Sequence, residues 1–309
     1  MKSAWLGLGV ILAEAGAALA ADPQSCATVR MSDLGWTDIM LTNTSAEVVL
    51  TALGYKPEQT LLGLDVTFVS MQVGDIDLFL GNWRPVQNEQ YKAFFEDGSV
   101  EVLAQNLTGA KFTLAVPSYV AKEGVATFAD LAAHKDRFDG KIYGIEPGSN
   151  QPMLDMVAEG RHGLAGWEVV ESSEAAMLTQ VRKLVEDGDW VVFLGWEPHP
   201  MNLTYDLTYL AGGDLEFGPD YGGATVHTLS RRGYAAECPN VARLFSQLVF
   251  DLDYENFGMQ KIMGDGIDPS DAARAMLAER PELLEAWLKD VTTLDGQPGL
   301  AAVKAAFGL

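Results

Sequence analysis

Apolar and polar positions along this chain switch repeatedly between two periods, short β-rich runs alternating with stretches of helical spacing. Thr28 to Met31 reads as a strand that ends at Ser32-Asp33-Leu34-Gly35-Trp36-Thr37-Asp38. A helix is predicted from about Ile39 to Leu53, stopped by Gly54. Gln59–Leu64, Ile76–Leu80, Lys111–Val116, Ile142–Ile145 and Trp190–Leu194 read as strands. Val66–Gln72 reads as a short helix and Glu174–Asp187 as an amphipathic one. Beyond Asn240 helices dominate, ending with Ala272–Ala278, Pro281–Lys289 and Leu300–Phe307. Asp268-Pro269-Ser270-Asp271 fits a helix start, with Asp at the cap and Pro in the first turn. It lacks the ligand spacing of a calcium loop. Strands alternating with helices predict an α/β fold with mostly parallel sheets and helices on both faces. Ligands of such folds sit beyond the carboxyl ends of the strands.

One pattern occurs twice at such strand ends. Asp75-Ile76-Asp77-Leu78-Phe79-Leu80-Gly81-Asn82-Trp83-Arg84-Pro85 resembles Gly188-Asp189-Trp190-Val191-Val192-Phe193-Leu194-Gly195-Trp196-Glu197-Pro198. Each is a buried-type run, then Gly, Trp and Pro. Gly35-Trp36 supplies a third indole behind a glycine after a strand. A single tryptophan is most often core; three at strand ends point to a shared pocket.

Composition narrows what such a pocket serves. The chain has 309 residues, 48% hydrophobic, enough for one large core or two medium ones. Its 43 acidic and 21 basic residues give a net charge of -22. Such a surface repels nucleic acid and anionic lipid headgroups, so neither is an expected partner. Acidity also serves solubility, and by itself it does not argue for a cationic ligand. Residues 1–20 read as an export signal: Lys2 at the start, an apolar run from Ala4 to Leu12, and Ala18-Leu19-Ala20 as a cleavage site. That run is too short to span a membrane, which needs about 20 apolar residues. The chain is therefore expected in the periplasm, beginning near Ala21. Two cysteines, Cys26 and Cys238, suggest one disulfide in an exported protein; the alternative is two separate buried thiols.

The three indoles suit one kind of ligand. A quaternary ammonium has no N–H to donate, so ordinary hydrogen bonds do not hold it. Aromatic faces cover its methyl groups and present negative quadrupole charge. Each contact contributes about 0.5 to 2 kcal/mol, so three or four rings support roughly micromolar binding, about -8 kcal/mol. Asp38, two residues after Trp36, is the candidate counter-charge and hydroxyl acceptor. It equally suits the first turn of a helix, where the dipole favours an acid.

At this point the sequence resembles a family. Leu34 to Asp38, Asp75 to Trp83, Gly140-Lys141-Ile142-Tyr143-Gly144-Ile145-Glu146-Pro147-Gly148, Phe193 to Asn202 and Gly222-Gly223-Ala224-Thr225-Val226 look like the choline-binding periplasmic proteins of ABC uptake systems. These lie within the wider glycine betaine and proline betaine binding class, and the resemblance runs from about Cys26 to the C-terminus. It implies a type II periplasmic binding protein, two α/β lobes that close on ligand in the cleft between them. Expected lobes are residues 21–110 with 212–309, and residues 111–211. It implies an aromatic box at Trp36, Trp83 and Trp196, with the acidic contact at Asp38 and a disulfide between Cys26 and Cys238. The fourth ring, usually Tyr after Gly-Ala-Lys, falls on Phe112. The family's asparagine after Glu-Pro-Gly falls on Ser149, with Asn150 next to it. The implied ligand is choline, with glycine betaine or trimethylamine N-oxide as alternatives. The implied partner is an ABC permease, and the chain is expected to act as a monomer without cofactor.

An enzyme is the main rival class. The sequence has no G-x-S-x-G elbow, phosphate loop, H-E-x-x-H or C-x-x-C, and no metal site is expected. Its four histidines, His134, His162, His199 and His227, are scattered, and Glu146 and Asp155 read as strand-end and helix-surface acids. A sensor that signals through a membrane receptor would use the same pocket.

Overall fold

The computed structural model describes residues 21–309, so the expected signal at residues 1–20 lies outside it. Nine strands form one continuous sheet: β1 (Thr28–Asp33), β2 (Lys56–Leu61), β3 (Leu78–Arg84), β4 (Val100–Pro117), β5 (Lys141–Tyr143), β6 (Glu168–Val170), β7 (Phe193–Glu197), β8 (Leu207–Tyr209) and β9 (Gly223–Arg231). Their order is β2-β1-β3-β9-β4-β7-β5-β6, with β8 also paired to β4. The outer pairs β1–β2, β1–β3, β5–β6 and β5–β7 are parallel, as the alternation of strands and helices predicts. The centre is not. Pairs β3–β9, β4–β9, β4–β7 and β4–β8 are antiparallel, so the sheet is mixed rather than mostly parallel.

The reason lies in β4 and β9. Strand β4 is 18 residues long, not the short run Lys111–Val116 predicted. Val100 to Lys111 pairs with β9, and Lys111 to Ala115 pairs with β7. One strand therefore joins the two halves of the sheet. Register shifts between Val102 and Ala104, Gln105 and Leu107, and Leu107 and Ala110 bend it on the way. In β9, Ala224 and Val226 are buried between half-exposed Thr225 and His227, the alternation of an antiparallel strand with one covered face.

Helix α1 (Thr37–Ala52) follows β1 and is buried on almost every side, so it carries little of the amphipathic stripe of a surface helix. It packs against the helices Leu252–Met259 and Pro269–Glu279. Gly35, at φ +77, makes the left-handed turn that passes the chain from β1 into Trp36 and α1. At Gly81 a Cβ would lie 2.3 Å from Ile39 Cδ1, so only glycine lets β3 approach α1 this closely.

The two cysteines are bonded, Cys26 to Cys238, with Cα atoms 5.7 Å apart and both side chains buried. Beside them the buried Asp22 carboxylate accepts from the backbone N–H groups of Asn240 and Val241 at 2.8 and 3.0 Å. It caps the helix Pro239–Gln247 and ties the start of the described chain to it. Among the described residues no helix is long and apolar enough to cross a membrane.

Candidate functional site

Trp36, Trp83 and Trp196 reach one cavity from three elements. Trp36 is the residue that enters α1, Trp83 lies near the end of β3, and Trp196 lies near the end of β7. Strands β3 and β7 run further than predicted, so Trp83 and Trp196 sit inside their last turns of pleat rather than after them. Phe112 comes from the stretch of β4 that pairs with β7, directly opposite Trp196 in the register. Its ring centroid is 6.0 Å from that of Trp83, tilted 46°. Asp38 and Ser149 of the predicted set also lie on the wall, with Leu64, Val86, Gln87, Gln90 and Ile145. The wall is overwhelmingly apolar, and among the described residues it carries no arginine or lysine.

Asn150 is not on that wall. Its side chain is fully buried and its amide is committed to the loop: Oδ1 accepts from Ile145 N–H at 2.9 Å, and Nδ2 donates to the carbonyls of Ile145 and Glu146 and to Glu171 Oε1. All of these partners belong to its own loop and to Glu171. Asn150 shapes the turn that presents Ser149, whose Oγ is buried without a hydrogen-bond partner.

Asp38 sits in the first turn of α1 and is 5% exposed. Its Oδ2 accepts the indole N–H of Trp83 at 3.3 Å. Burial pushes its pKa up from the ordinary 3.8 to about 7, and the neighbouring Glu174 charge adds to the effect. Hydrogen bonds from Ile39 and Trp83 pull the other way. Deeper in the same region, burial raises Glu255 well above the usual carboxylate range, with Asp38 and Asp251 adding to it. Asp38 is the carboxylate that lines the cavity wall.

A second layer holds this wall in place, and sequence reasoning missed most of it. Trp36 Nε1 donates to Glu146 Oε2 at 2.8 Å, and Glu146 Oε1 accepts the backbone N–H of Glu174 at 2.9 Å. Glu174 in turn accepts from Thr37 twice, from the backbone N–H at 3.1 Å and the hydroxyl at 2.6 Å. It caps α1 from a distant segment, where the helix dipole favours an anion. His199 completes the chain. Its Nδ1 accepts the backbone N–H of Met201 at 3.0 Å, so the proton of the neutral ring is on Nε2, which faces Glu174 Oε1 at 3.3 Å. The ring also packs edge-on against Trp196, with centroids 4.9 Å apart. Glu146 and His199 carry no sequence signal for these roles, since an acid after a strand and a lone histidine read equally well as surface residues. Gln87 and Gln90 were discoverable only by their closeness to Trp83.

No group of three or more His, Cys, Asp or Glu is placed to hold a metal among the described residues. The arrangement suits capture of a compact, methylated cation. Rings supply apolar, electron-rich faces, and one carboxylate supplies charge.

Comparisons with known proteins agree with the fold. A solved ABC-transporter choline binding protein in complex with choline is 54% identical, with a TM-score of 0.91, over 93% of this chain and 100% of that one. An ABC-transporter choline binding protein in an unliganded semi-closed conformation, also 54% identical over the same shares, gives 0.85. An uncharacterized protein, ORF1, of Chromohalobacter salexigens is 44% identical over 125 residues, 40% of this chain and 81% of that protein. The family model for the substrate binding domain of the ABC-type glycine betaine transport system matches residues 27–279. With its pocket at the ends of the strands and that match spanning most of its length, the chain belongs to the family of substrate-binding domains of ABC-type glycine betaine transport systems.

Proposed function

We propose that this protein captures choline in the periplasm and delivers it unchanged to an ABC permease. The observation that carries the reading is the convergence of Trp36, Trp83, Trp196 and Phe112 on one cavity whose only lining carboxylate among the described residues is Asp38. A trimethylammonium group placed among these rings gains about 0.5 to 2 kcal/mol per face, most where water is excluded. Asp38 supplies the balancing charge. The likeness at 54% identity to a choline binding protein in complex with choline supports the same ligand class.

On this reading residues 21–110 with 212–309 form one lobe and residues 111–211 the other. Strand β4 is one of the crossings between them. Trp36, Asp38 and Trp83 then belong to the first lobe, and Phe112, Ser149 and Trp196 to the second, so the box is complete only when the lobes close. The bonds Trp36–Glu146 and Thr37–Glu174 would be the closure contacts. The higher TM-score against the complex than against the semi-closed form supports a closed arrangement here.

Glycine betaine is the second reading, favoured by the family's description. Its carboxylate would enter a wall that holds Asp38 and no basic residue. A calorimetric panel of choline, acetylcholine, glycine betaine, carnitine and trimethylamine N-oxide tests the choice. Choline is expected to bind tightest, with micromolar affinity, about -8 kcal/mol. Tighter binding of glycine betaine would overturn it.

A further inference from the structure

Phe112 is the one aromatic residue on the cavity wall, among the described residues, that has no polar handle. Trp36 and Trp83 are fixed by their indole N–H groups, bonded to Glu146 and Asp38. The ring torsion of a phenylalanine is soft, so packing alone must set which way the face of Phe112 points. Two rings touch it. Trp83 comes from β3 and lies in the other expected lobe. The second is Phe217, with ring centroids 5.8 Å apart and planes at 63°, the edge-to-face arrangement that aromatic pairs favour. Phe217 is 1% exposed and is not among the residues that line the cavity.

Phe217 ends the short helix Asp214–Phe217, which is tied down on both sides. The neighbouring Glu216 side chain is fully buried, and its Oε1 pairs with Arg161 Nη1 at 3.0 Å and lies 3.1 Å from His162 Nε2. The Phe217 ring also packs on fully buried Phe128, with centroids 6.0 Å apart. Phe128 is held by its backbone N–H, which donates to the carbonyl of Ala211 at 2.9 Å, and its ring packs on His162. Phe112, Phe128, Arg161, His162 and Ala211 all fall within residues 111–211. Opening of the expected lobes would therefore carry Trp83 away from Phe112 and leave Phe217 against it.

We propose that Phe217 is a positioning residue: its ring fixes the face that Phe112 offers to the ammonium group, in the open form as in the closed one. The proposal rests on the choline reading above. A wall ring held in place beforehand has less freedom to lose when the ligand arrives, so affinity depends on a residue that does not line the cavity.

The test is a double-mutant cycle in the full protein, read by titration calorimetry with choline. Phe217→Leu removes the supporting ring and keeps an apolar side chain. It is expected to weaken choline about fivefold, and Phe112→Ala about tenfold. Should the leucine variant melt below the assay temperature, Phe217→Met, unbranched and able to fill the gap, takes its place. Because Phe217 acts through Phe112, adding Phe217→Leu to Phe112→Ala is expected to change affinity by less than about twofold. A residue that merely stabilises the fold would cost the same in both backgrounds, so losses that multiply in the double variant would overturn the proposal. Affinity unchanged in Phe217→Leu, with Phe112→Ala still weakened, would overturn it too. Failure of the unmodified protein to bind choline would instead remove the choline reading, and the proposal with it.

Discussion

The indole nitrogen of Trp83 donates to the carboxylate of Asp38 across 3.3 Å, joining the last residues of β3 to the first turn of α1. The cavity's one carboxylate is therefore held by one of the rings that surround it. Trp83 cannot turn away without leaving a buried acceptor short of a partner, and Asp38 cannot leave without freeing the ring. The same bond is too weak to keep Asp38 ionised against its burial, and its pKa stands near 7. A cation in the cavity would reverse that balance.

This gives a pH dependence with a defined sign. Asp38 is raised from 3.8 to about 7, so the unliganded protein holds a proton there between those values. Its share of unliganded stability rises as pH falls from about 7 towards 3.8, and is lost above 7. A bound cation requires the ionised form, so binding must expel the proton. Choline affinity is expected to be flat above pH 8 and to fall by up to about tenfold per unit below 7. Asp38→Asn should bind weakly at every pH and lose the slope. Calorimetry in two buffers of different ionisation heat at pH 6 would show proton release; a pH-independent affinity would contradict the assignment.

Trp196→Ala should weaken choline binding by at least about tenfold, the loss of one desolvated cation–π face. Trp196 is 4% exposed, and its removal also takes an edge contact from His199. The fold should still melt in one transition, at a lower temperature. Unchanged affinity in titration calorimetry would remove Trp196 from the site.

Much of this was legible in the chain. Gly35-Trp36, Gly81-Asn82-Trp83 and Gly195-Trp196 marked three strand ends, and the structure brings their rings to one cavity. Helix Glu174–Asp187 has the predicted limits because its amphipathic period and its Ser173 cap are local signals. The long strand β4 was not legible, because its first half is half-exposed and pairs with β9, more than a hundred residues away. The hydrogen bonds of Asn150 to its own loop were hidden for a related reason. A buried asparagine beside a pocket can face the ligand or its own loop, and only the backbone path through Ile145 and Glu146 decides. The carboxylates Glu146 and Glu174 were missed because their partners, Trp36 and Thr37, are distant in sequence.

Reducing the disulfide should cost stability without touching the pocket. Cys26 and Cys238 enclose a loop of more than two hundred residues and lie off the cavity wall. The double variant Cys26→Ser, Cys238→Ser is expected to lose about 2 to 5 kcal/mol in urea unfolding. Choline affinity at 25 °C should stay within about twofold, since Trp36, Trp83 and Trp196 keep their supports. A large loss of affinity in a variant that still unfolds in one step would show that the crosslink shapes the site.

Glu146 gives the sharpest test of coupling between ligand and closure. Its two oxygens are both in use, one on the Trp36 indole and one on the backbone N–H of Glu174, the residue that caps α1 through Thr37. Glu146→Ala would leave the Trp36 N–H without its acceptor and free the ring to rotate out of the box. No ring is deleted, so the intrinsic attraction for the cation survives, and what is lost is the hold on the closed form. Choline should therefore dissociate faster by about tenfold while its association rate changes little, which stopped-flow tryptophan fluorescence resolves. Glu146→Gln keeps one carbonyl oxygen and should restore part of the residence time. Were association slowed instead, with dissociation unchanged, Glu146 would be steering the cation inward by its charge, and the bond to Trp36 would not be a latch.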